Sequence, residues 1–274
     1  MIPPFVDAEF IAAHPQAVLA DVRWYLDGRD GRAAYEASHI TGALWIDLDQ
    51  QLAADDQPAT EGRHPFPTPG AFAAAMGSLG IGNNTVVIAY DDTGGLTAGR
   101  LVVMLRMLGC DAAVLVGGLG EWTGPVESGP ARKPAPVTFT ATEWPADRLA
   151  DADDVVRIVA AGGAAIDARS NERFLSAVAQ IDKRAGHIPG ARSAPWSAVL
   201  GTNTMPRSAD ELLAHFHGLG IDDGVETVAY CGSGVSACMN VLAMEHVGLA
   251  IPRLYVASWS GWSADPNREA ATGE

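Results

Sequence analysis

The chain has 274 residues, of which 48% are hydrophobic and 19% charged, as is typical of a soluble globular protein long enough for two domains. Its formal net charge of −15 argues against nucleic acid or an anionic membrane surface as a partner, and no apolar stretch approaches the ~18 residues of a membrane span. The N-terminus lacks the basic start and apolar run of a secretion signal, so the cytoplasm is the expected compartment.

The first half of the chain alternates apolar runs with helical patterns. Asp21-Val22-Arg23 ends an apolar run, and His39-Ile40-Thr41-Gly42-Ala43 begins eighteen residues after Asp21. Residues Ala71 to Leu79 predict a helix that ends at Gly80, and Thr85 to Tyr90 predict a buried strand.

The second half repeats this order. Asp167-Ala168-Arg169 ends another apolar run, and His187-Ile188-Pro189-Gly190-Ala191 begins twenty residues after Asp167. Ala209 to Leu219 matches the helix, and Thr227 to Tyr230 matches the strand. Tyr90 and Tyr230 are 140 residues apart, and so are Trp122 and Trp262. This pattern indicates a tandem duplication.

The two copies are joined by a segment with the composition of a linker. Residues 123–138 contain four prolines, two glycines and no periodic apolar face. We therefore predict a first domain over residues 1–125, a linker over 126–138 and a second domain over 139–274. The alternation of short β-branched runs with helices predicts an α/β fold, in which each domain has a parallel sheet flanked by helices.

The copies differ at the residue that follows the matched Ala-Tyr dipeptide, which is Asp91 in the first copy and Cys231 in the second. Cys231 ends a predicted strand, where ligands bind in open α/β sheets, and Gly232-Ser233-Gly234-Val235-Ser236-Ala237 leads from it into a predicted helix. The glycines let successive backbone N–H groups converge as an anion nest, to which the helix adds the positive end of its dipole. This setting favours a nucleophilic thiolate over a buried core cysteine.

Other known uses of such a cysteine or loop are excluded. A cysteine phosphatase needs Arg six residues after its nucleophile, where this chain has Ala237, and a P-loop needs a lysine that is absent near Gly232. Three cysteines at these spacings suit neither a disulfide framework nor a zinc site, so no metal is expected. A small anion-binding cradle around a thiolate remains.

Three segments resemble motifs of the rhodanese family. Residues Tyr230 to Ala237 are similar to the active-site loop of 3-mercaptopyruvate sulfurtransferases, and Gly186 to Ala191 resembles the rhodanese signature. Ser258-Trp259-Ser260-Gly261-Trp262 resembles the family's Ser-Trp-Ser-Glu-Trp motif, with Gly261 in place of Glu. The resemblance covers nearly the whole chain. It implies two rhodanese-like domains, each a five-stranded parallel sheet with flanking helices, of which the first is inactive because Asp91 stands at the cysteine position.

The resemblance also implies site residues. Ser233 maps to a serine that works with a histidine and an aspartate on the substrate thiol, and Asp30 and His39 resemble the segment that supplies these two. His39 also lies in the repeated His-Ile-x-Gly-Ala turn, so a purely structural role stays open. Arg173 matches the arginine that binds the substrate carboxylate. The family's second arginine is missing, and Arg184 or Lys183 could replace it, although a surface role for Arg184 is equally open.

Together these residues predict a sulfurtransferase that moves a sulfane sulfur from 3-mercaptopyruvate through a Cys231 persulfide. The acceptor would be cyanide or a thiol, such as that of a thioredoxin-like protein. The N–H groups of the loop would stabilise the persulfide, so no cofactor is expected. Because the loop contains no cationic side chain, it favours the monoanionic mercaptopyruvate, and the dianion thiosulfate is the alternative donor. A non-catalytic binding module is a further alternative, against which the intact Cys231 loop argues.

Overall fold

The computed structural model describes residues 1–273 and divides the chain into two compact units. The first unit holds residues 1–55, 66–144 and 201–206, and the second holds residues 56–65, 145–200 and those from 207 onward. Residues 126–138, predicted as a linker, belong to the first unit, where the Val137 N–H donates to Gly77 O at 2.9 Å. The first unit therefore extends to Trp144, past the predicted domain end at residue 125.

The first unit is built on a parallel sheet. Its strands are β1 (Phe5–Val6), β2 (Val18–Asp21), β3 (His39–Ile40), β4 (Leu44–Trp45), β5 (Val87–Tyr90), β6 (Ala112–Leu115) and β7 (Val126–Glu127). Its helices are α1 (Ala8–Ala13), α2 (Gly31–Ala37), α3 (Leu48–Gln51), α4 (Pro69–Ser78) and α5 (Ala98–Met107). Five strands form a sheet in the order β1-β6-β5-β2-β4, and β3 pairs with β7 in an antiparallel ribbon. Helix α4 begins earlier than predicted because Thr68 caps it and Pro69 occupies its first turn.

The second unit repeats this architecture. Its strands are β8 (Leu149–Ala150), β9 (Ala164–Asp167), β10 (Arg192–Ser193), β11 (Thr227–Tyr230) and β12 (Arg253–Tyr255). Its helices are α6 (Ala152–Ala160), α7 (Asn171–Leu175), α8 (Ala209–Gly218), α9 (Ala237–His246) and α10 (Ser258–Ala264). The sheet order is β8-β12-β11-β9-β10, with every pair parallel. The predicted α/β fold with two five-stranded parallel sheets is confirmed.

The residues that repeat along the sequence form the same buried network in each unit. Arg169 Nη2 donates to Asp167 Oδ2 at 2.6 Å, as Arg23 Nη2 does to Asp21 Oδ2 at 2.7 Å. The Tyr230 hydroxyl accepts from the backbone N–H of Ile188, and Tyr90 does the same for Ile40. Burial raises the pKa of Tyr230 well above its ordinary value, so this hydroxyl stays neutral. The network ties the central strand of each sheet to the His-Ile turn.

No helix within residues 1–273 combines the length and the hydropathy needed to cross a membrane.

Candidate active site

The Cys231 loop lies in the second unit, between the end of β11 and the start of α9. Cys231 is 2% exposed, and Gly234 has a φ of 71°, in the left-handed region that favours glycine. Because α9 begins at Ala237, directly after the loop, the positive end of its dipole faces the loop. The predicted strand–loop–helix arrangement is therefore present.

The Ser-Trp-Ser-Gly-Trp segment holds the backbone of this loop. The Cys231 N–H donates to Ser258 Oγ at 3.1 Å, and the Trp259 N–H donates to Cys231 O at 2.9 Å. The Ser260 N–H donates to Gly232 O, also at 2.9 Å. Three hydrogen bonds thus fix the two residues at the start of the loop against the first turn of α10.

Residues 56–65 bring a further loop to the same place. Its 3₁₀ turn, Ala59–Glu61, packs against α10, and glycines on both sides allow the close approach. A Cβ on Gly261 would lie 2.4 Å from Thr60 O, and a Cβ on Gly62 would lie 2.4 Å from Ala257 O. The glutamate usual in the family motif would not fit at position 261. The Arg63 N–H then donates to Ser260 Oγ at 3.1 Å, which places Arg63 and His64 beside the Cys231 loop.

His64 is the imidazole that contacts the loop. Its Nδ1 lies 2.9 Å from Ser233 Oγ, and both side chains are 8% exposed. A hydroxyl and a neutral imidazole at this distance can pass a proton in either direction, according to the tautomer. Ser233 is two residues after Cys231 in the loop, so the pair is a candidate proton path for this site.

Two guanidinium groups stand over Gly232. A Cβ on Gly232 would lie 3.1 Å from Arg63 Nη2 and 3.2 Å from Arg173 Nη2. Both arginines form ion pairs with Asp182: Arg173 Nη2 is 3.0 Å from Asp182 Oδ2, and Arg63 Nη1 contacts Asp182 Oδ1. Burial lowers the pKa of Arg173 while Asp182 counters the effect, and an arginine stays charged at any working pH. Arg63 is therefore a candidate for the second cation that the sequence left open.

His39 has a different setting from the proton relay predicted for it. Its ring stacks on Tyr35 with centroids 3.8 Å apart, and its Nδ1 donates to Tyr35 O at 2.8 Å. His187 does the same with Phe174, at 3.7 Å and 2.9 Å. The repeated histidines thus share one structural role in the two units. The histidine hydrogen-bonded to Ser233 is His64, and this corrects the predicted pairing of Ser233 with His39.

Asp30 and Arg184 also have structural partners. Asp30 is the N-cap of α2, where its carboxylate accepts from the Ala33 N–H at 3.0 Å, so it does not orient the His39 ring. Arg184 donates to four carbonyl oxygens at the end of α10, those of Trp262, Ser263, Asp265 and Arg268. These bonds satisfy carbonyls that a helix C-terminus leaves open, and they occupy the guanidinium group that we had considered for substrate.

The geometry agrees with the comparisons to known proteins. A family model described as a rhodanese-like domain matches residues 8–125 and again residues 149–265. The chain belongs to the rhodanese-like family.

Relatives of this rhodanese-like chain are sulfurtransferases. A Pseudomonas aeruginosa protein named "probable 3-mercaptopyruvate sulfurtransferase" is 36% identical over 96% of this chain and 94% of its own length. An Arabidopsis thaliana protein named "thiosulfate/3-mercaptopyruvate sulfurtransferase 2" is 32% identical over 90% of this chain and 79% of its own. The crystal structure of the 3-mercaptopyruvate sulfotransferase SseA from Escherichia coli superposes with a TM-score of 0.83 at 30% identity, covering 94% and 99% of the two chains. The predicted class, a sulfurtransferase enzyme, is confirmed.

The first rhodanese-like unit has a carboxylate at the position equivalent to Cys231. Asp91 is 1% exposed, and Oδ1 accepts from the N–H groups of Thr93 and Gly95 at 2.9 and 2.8 Å. Oδ2 accepts from the N–H groups of Thr97 and Ala98 and from the Thr97 hydroxyl, at 2.9 to 3.0 Å. The loop is thus an anion nest that is filled by a carboxylate of its own chain.

Proposed function

We propose that this rhodanese accepts a sulfur atom from 3-mercaptopyruvate, carries it on Cys231 as a persulfide and passes it to a thiol or to cyanide. The observation that carries this proposal is the carboxylate of Asp91 in the equivalent loop. The bonds Cβ–Cγ–Oδ of aspartate correspond to Cβ–Sγ–Sδ of a cysteine persulfide, so the Oδ atoms stand where the outer sulfur would lie. By the 140-residue offset, the N–H groups of Ser233, Val235 and Ala237 would face that sulfur, whereas the Cys238 N–H donates to Val235 O at 3.2 Å.

The first half-reaction balances without a cofactor. The Cys231 thiolate attacks the sulfur of mercaptopyruvate, the S–C bond breaks, and its electron pair leaves on C3 as the enolate of pyruvate. The proton of the substrate thiol moves to C3, which yields pyruvate and the persulfide anion. We assign the proton transfer to Ser233 and His64, because the 2.9 Å contact between them gives the proton a path at the thiol loop.

The second half-reaction restores the thiolate. A thiolate or cyanide attacks the outer sulfur, the S–S bond breaks, and its electron pair returns to Cys231 Sγ. The free cysteine then awaits the next donor. A thiol on a thioredoxin-like protein is the acceptor class that we propose, since this chemistry needs only an accessible nucleophilic thiolate.

The substrate carboxylate is assigned to Arg173 and Arg63. Both guanidinium groups flank Gly232, and arginine binds a carboxylate through two parallel N–H donors. In this proposal Arg63 takes the place for which the sequence offered Arg184 or Lys183.

Thiosulfate is the second candidate donor. The loop itself has no cationic side chain, but Arg63 adds a second guanidinium group that could serve a dianion. The Arabidopsis relative named for both donors also supports this alternative. The preference for mercaptopyruvate therefore depends on the net charge over the loop, where Asp182 offsets one arginine.

Two measurements test the proposal. Intact protein incubated with mercaptopyruvate should gain the mass of one sulfur atom, lose it on addition of cyanide, and gain nothing when Cys231 is replaced by Ser. The steady-state kcat/KM should be higher for mercaptopyruvate than for thiosulfate. No sulfur gain with either donor would overturn the sulfur transfer, and a preference for thiosulfate would overturn only the choice of donor.

A further inference from the structure

Asp182 has a buried carboxylate directly after a run of exposed residues, 177–181. The chain from Ser176 to Gly186 contains no helix or strand, and Ile181 is 44% exposed. The Asp182 side chain is nevertheless only 4% exposed. A buried carboxylate is retained when it is paired, and this one is paired with two guanidinium groups at once.

The charges above the Cys231 loop can be counted. Arg63 and Arg173 contribute +2, and Asp182 contributes −1, so that the sum is +1. The next arginine, Arg169, is held by the carboxylate of Asp167 through three N–H···O contacts of 3.0 Å or less and adds no further net charge. The side chains above the loop thus offer a net charge of +1, which matches a monoanionic donor, whereas a dianion would have one charge that they do not compensate.

We propose that Asp182 sets the donor preference of this site by cancelling one of the two guanidinium charges over the Cys231 loop. The inference rests on the proposed sulfur transfer and concerns the substrate class of the same site. Asp182 is a positioning residue in this scheme, since it acts through Arg63 and Arg173. Its negative charge opposes both donors, but it opposes a dianion about twice as strongly as a monoanion.

The test compares both donors in full-length variants. In Asp182→Asn the ratio of kcat/KM for thiosulfate to that for mercaptopyruvate should rise on the order of tenfold, because one unit of opposing charge is removed a few ångströms from the donor. Asp182→Glu keeps the charge, so the ratio should return towards that of the parent protein. Damage to the fold would lower both activities together and leave the ratio unchanged.

A matched control exists on α6. Asp154 also bridges two arginines, Arg157 at 3.1 Å and Arg253 at 2.5 Å, so Asp154→Asn makes the same change in net charge and breaks the same kind of ion pair. For Asp154→Asn, the ratio of kcat/KM for thiosulfate to that for mercaptopyruvate should equal the ratio of the parent protein. An equal rise in Asp154→Asn would mean that overall charge governs the ratio, and it would overturn the role of Asp182.

A second variant covers the case in which Asp182→Asn does not fold. Arg63→Gln removes a cation from the same cluster and should shift the ratio in the opposite direction, towards mercaptopyruvate. If the parent protein forms the persulfide but neither variant shifts the ratio, the inference fails and the proposed function stands. If the parent protein gains no sulfur from either donor, the proposed function itself fails.

Discussion

At the scale of single residues, the three cysteines lie in different electrostatic settings. Cys231 lies in a glycine-containing loop at the N-terminus of a helix, where backbone N–H groups can stabilise a thiolate. Burial raises the pKa of Cys110, with a smaller contribution from Asp111, so this thiol stays protonated. The Cys238 Sγ donates to Gly234 O at 3.4 Å and is fully buried. Of the three cysteines, Cys231 is the one at the start of the loop that contains Ser233, whose hydroxyl contacts His64.

Cys231→Ser should therefore abolish sulfur transfer from both donors, because a serine oxygen cannot carry a sulfane sulfur. Cys110→Ser and Cys238→Ser should keep most of the activity, and Cys238→Ser preserves a donor for Gly234 O. The measurement is kcat/KM with mercaptopyruvate and cyanide, together with intact-protein mass. Loss of the persulfide in Cys238→Ser with Cys231 intact would place the nucleophile elsewhere.

The two histidines His64 and His39 allow a matched comparison. Asparagine places a polar atom close to Nδ1 of the imidazole, so it can keep one hydrogen bond but cannot relay a proton. His64→Asn should lower kcat with mercaptopyruvate about 10²-fold, the usual size of a general acid–base contribution. His39→Asn should leave kcat within a few-fold and show its effect in thermal unfolding, because its stack on Tyr35 is lost. If His39→Asn lowered kcat more than His64→Asn did, His39 rather than His64 would be the residue that transfers the proton.

At the scale of elements, the approach of residues 56–65 to α10 depends on glycine. A Cβ at position 261 would meet the carbonyl oxygen of Thr60 at 2.4 Å, so any side chain there must displace the segment that carries Arg63 and His64. Positioning groups that move by about 1 Å cost an enzyme about 10²-fold in rate.

Gly261→Ala should raise KM for mercaptopyruvate and lower kcat together, because the binding arginine and the proton relay move as one segment. The matched control is Gly218→Ala at the end of α8, where a Cβ meets nothing within 4 Å. This control should keep the parent kinetics and its stability should stay equal or rise, since alanine favours a helix by up to about 1 kcal/mol over glycine. If Gly261→Ala kept the kcat and KM of the parent protein, the close contact between residues 56–65 and α10 would not be what positions the site.

At the scale of the whole molecule, duplication left two equivalent loops, of which the first carries an aspartate and the second a cysteine at the same position. In the first unit the anion is the covalently attached carboxylate of Asp91, which accepts from four backbone N–H groups and one hydroxyl. Without this carboxylate, the N–H groups of the loop would be buried donors with no acceptor. The first loop therefore contributes stability, while the second loop has no carboxylate at the equivalent position and is the proposed place of the persulfide.

Asp91→Asn should lower the free energy of unfolding by about 3 kcal/mol, because an amide replaces a charged acceptor and turns an N–H₂ group towards backbone donors. The neighbouring Asp92→Asn makes the same change in charge at an exposed side chain, which accepts from the Tyr25 hydroxyl, and should cost at most about 1 kcal/mol. Chemical denaturation measures both values. Folded Asp91→Asn should retain the persulfide on Cys231, whose described contacts lie within the second unit, and equal stability of the two variants would contradict the structural role of Asp91.

Much of the fold follows from local sequence. The duplicated order of Asp-x-Arg, His-Ile-x-Gly-Ala and Ala-Tyr predicted two equivalent sheets, and periodicity located α4, α8 and α9 to within a few residues. The start of α4 differs from the prediction because of capping. Thr68 is the N-cap and Pro69 lies in the first turn, so the helix begins two residues before its predicted start. The first unit extends past residue 125 because proline-rich residues without periodicity can still pack against a domain, as Val137 does beside Gly77.

The sequence by itself determined the chemistry of the site, because a cysteine, two glycines and a helix start are local features of one loop. The tertiary structure alone decided which side chains serve that loop. Arg63 and His64 reach Ser233 and Gly232 from about 170 residues away in sequence, through a contact between backbones that no periodic pattern encodes. Arg184, close to Arg173 in sequence, instead caps α10. The conformation of a loop can be predicted from residues that are neighbours in sequence. The side chains that contact this loop come from distant parts of the chain, so only the tertiary fold determines which they are.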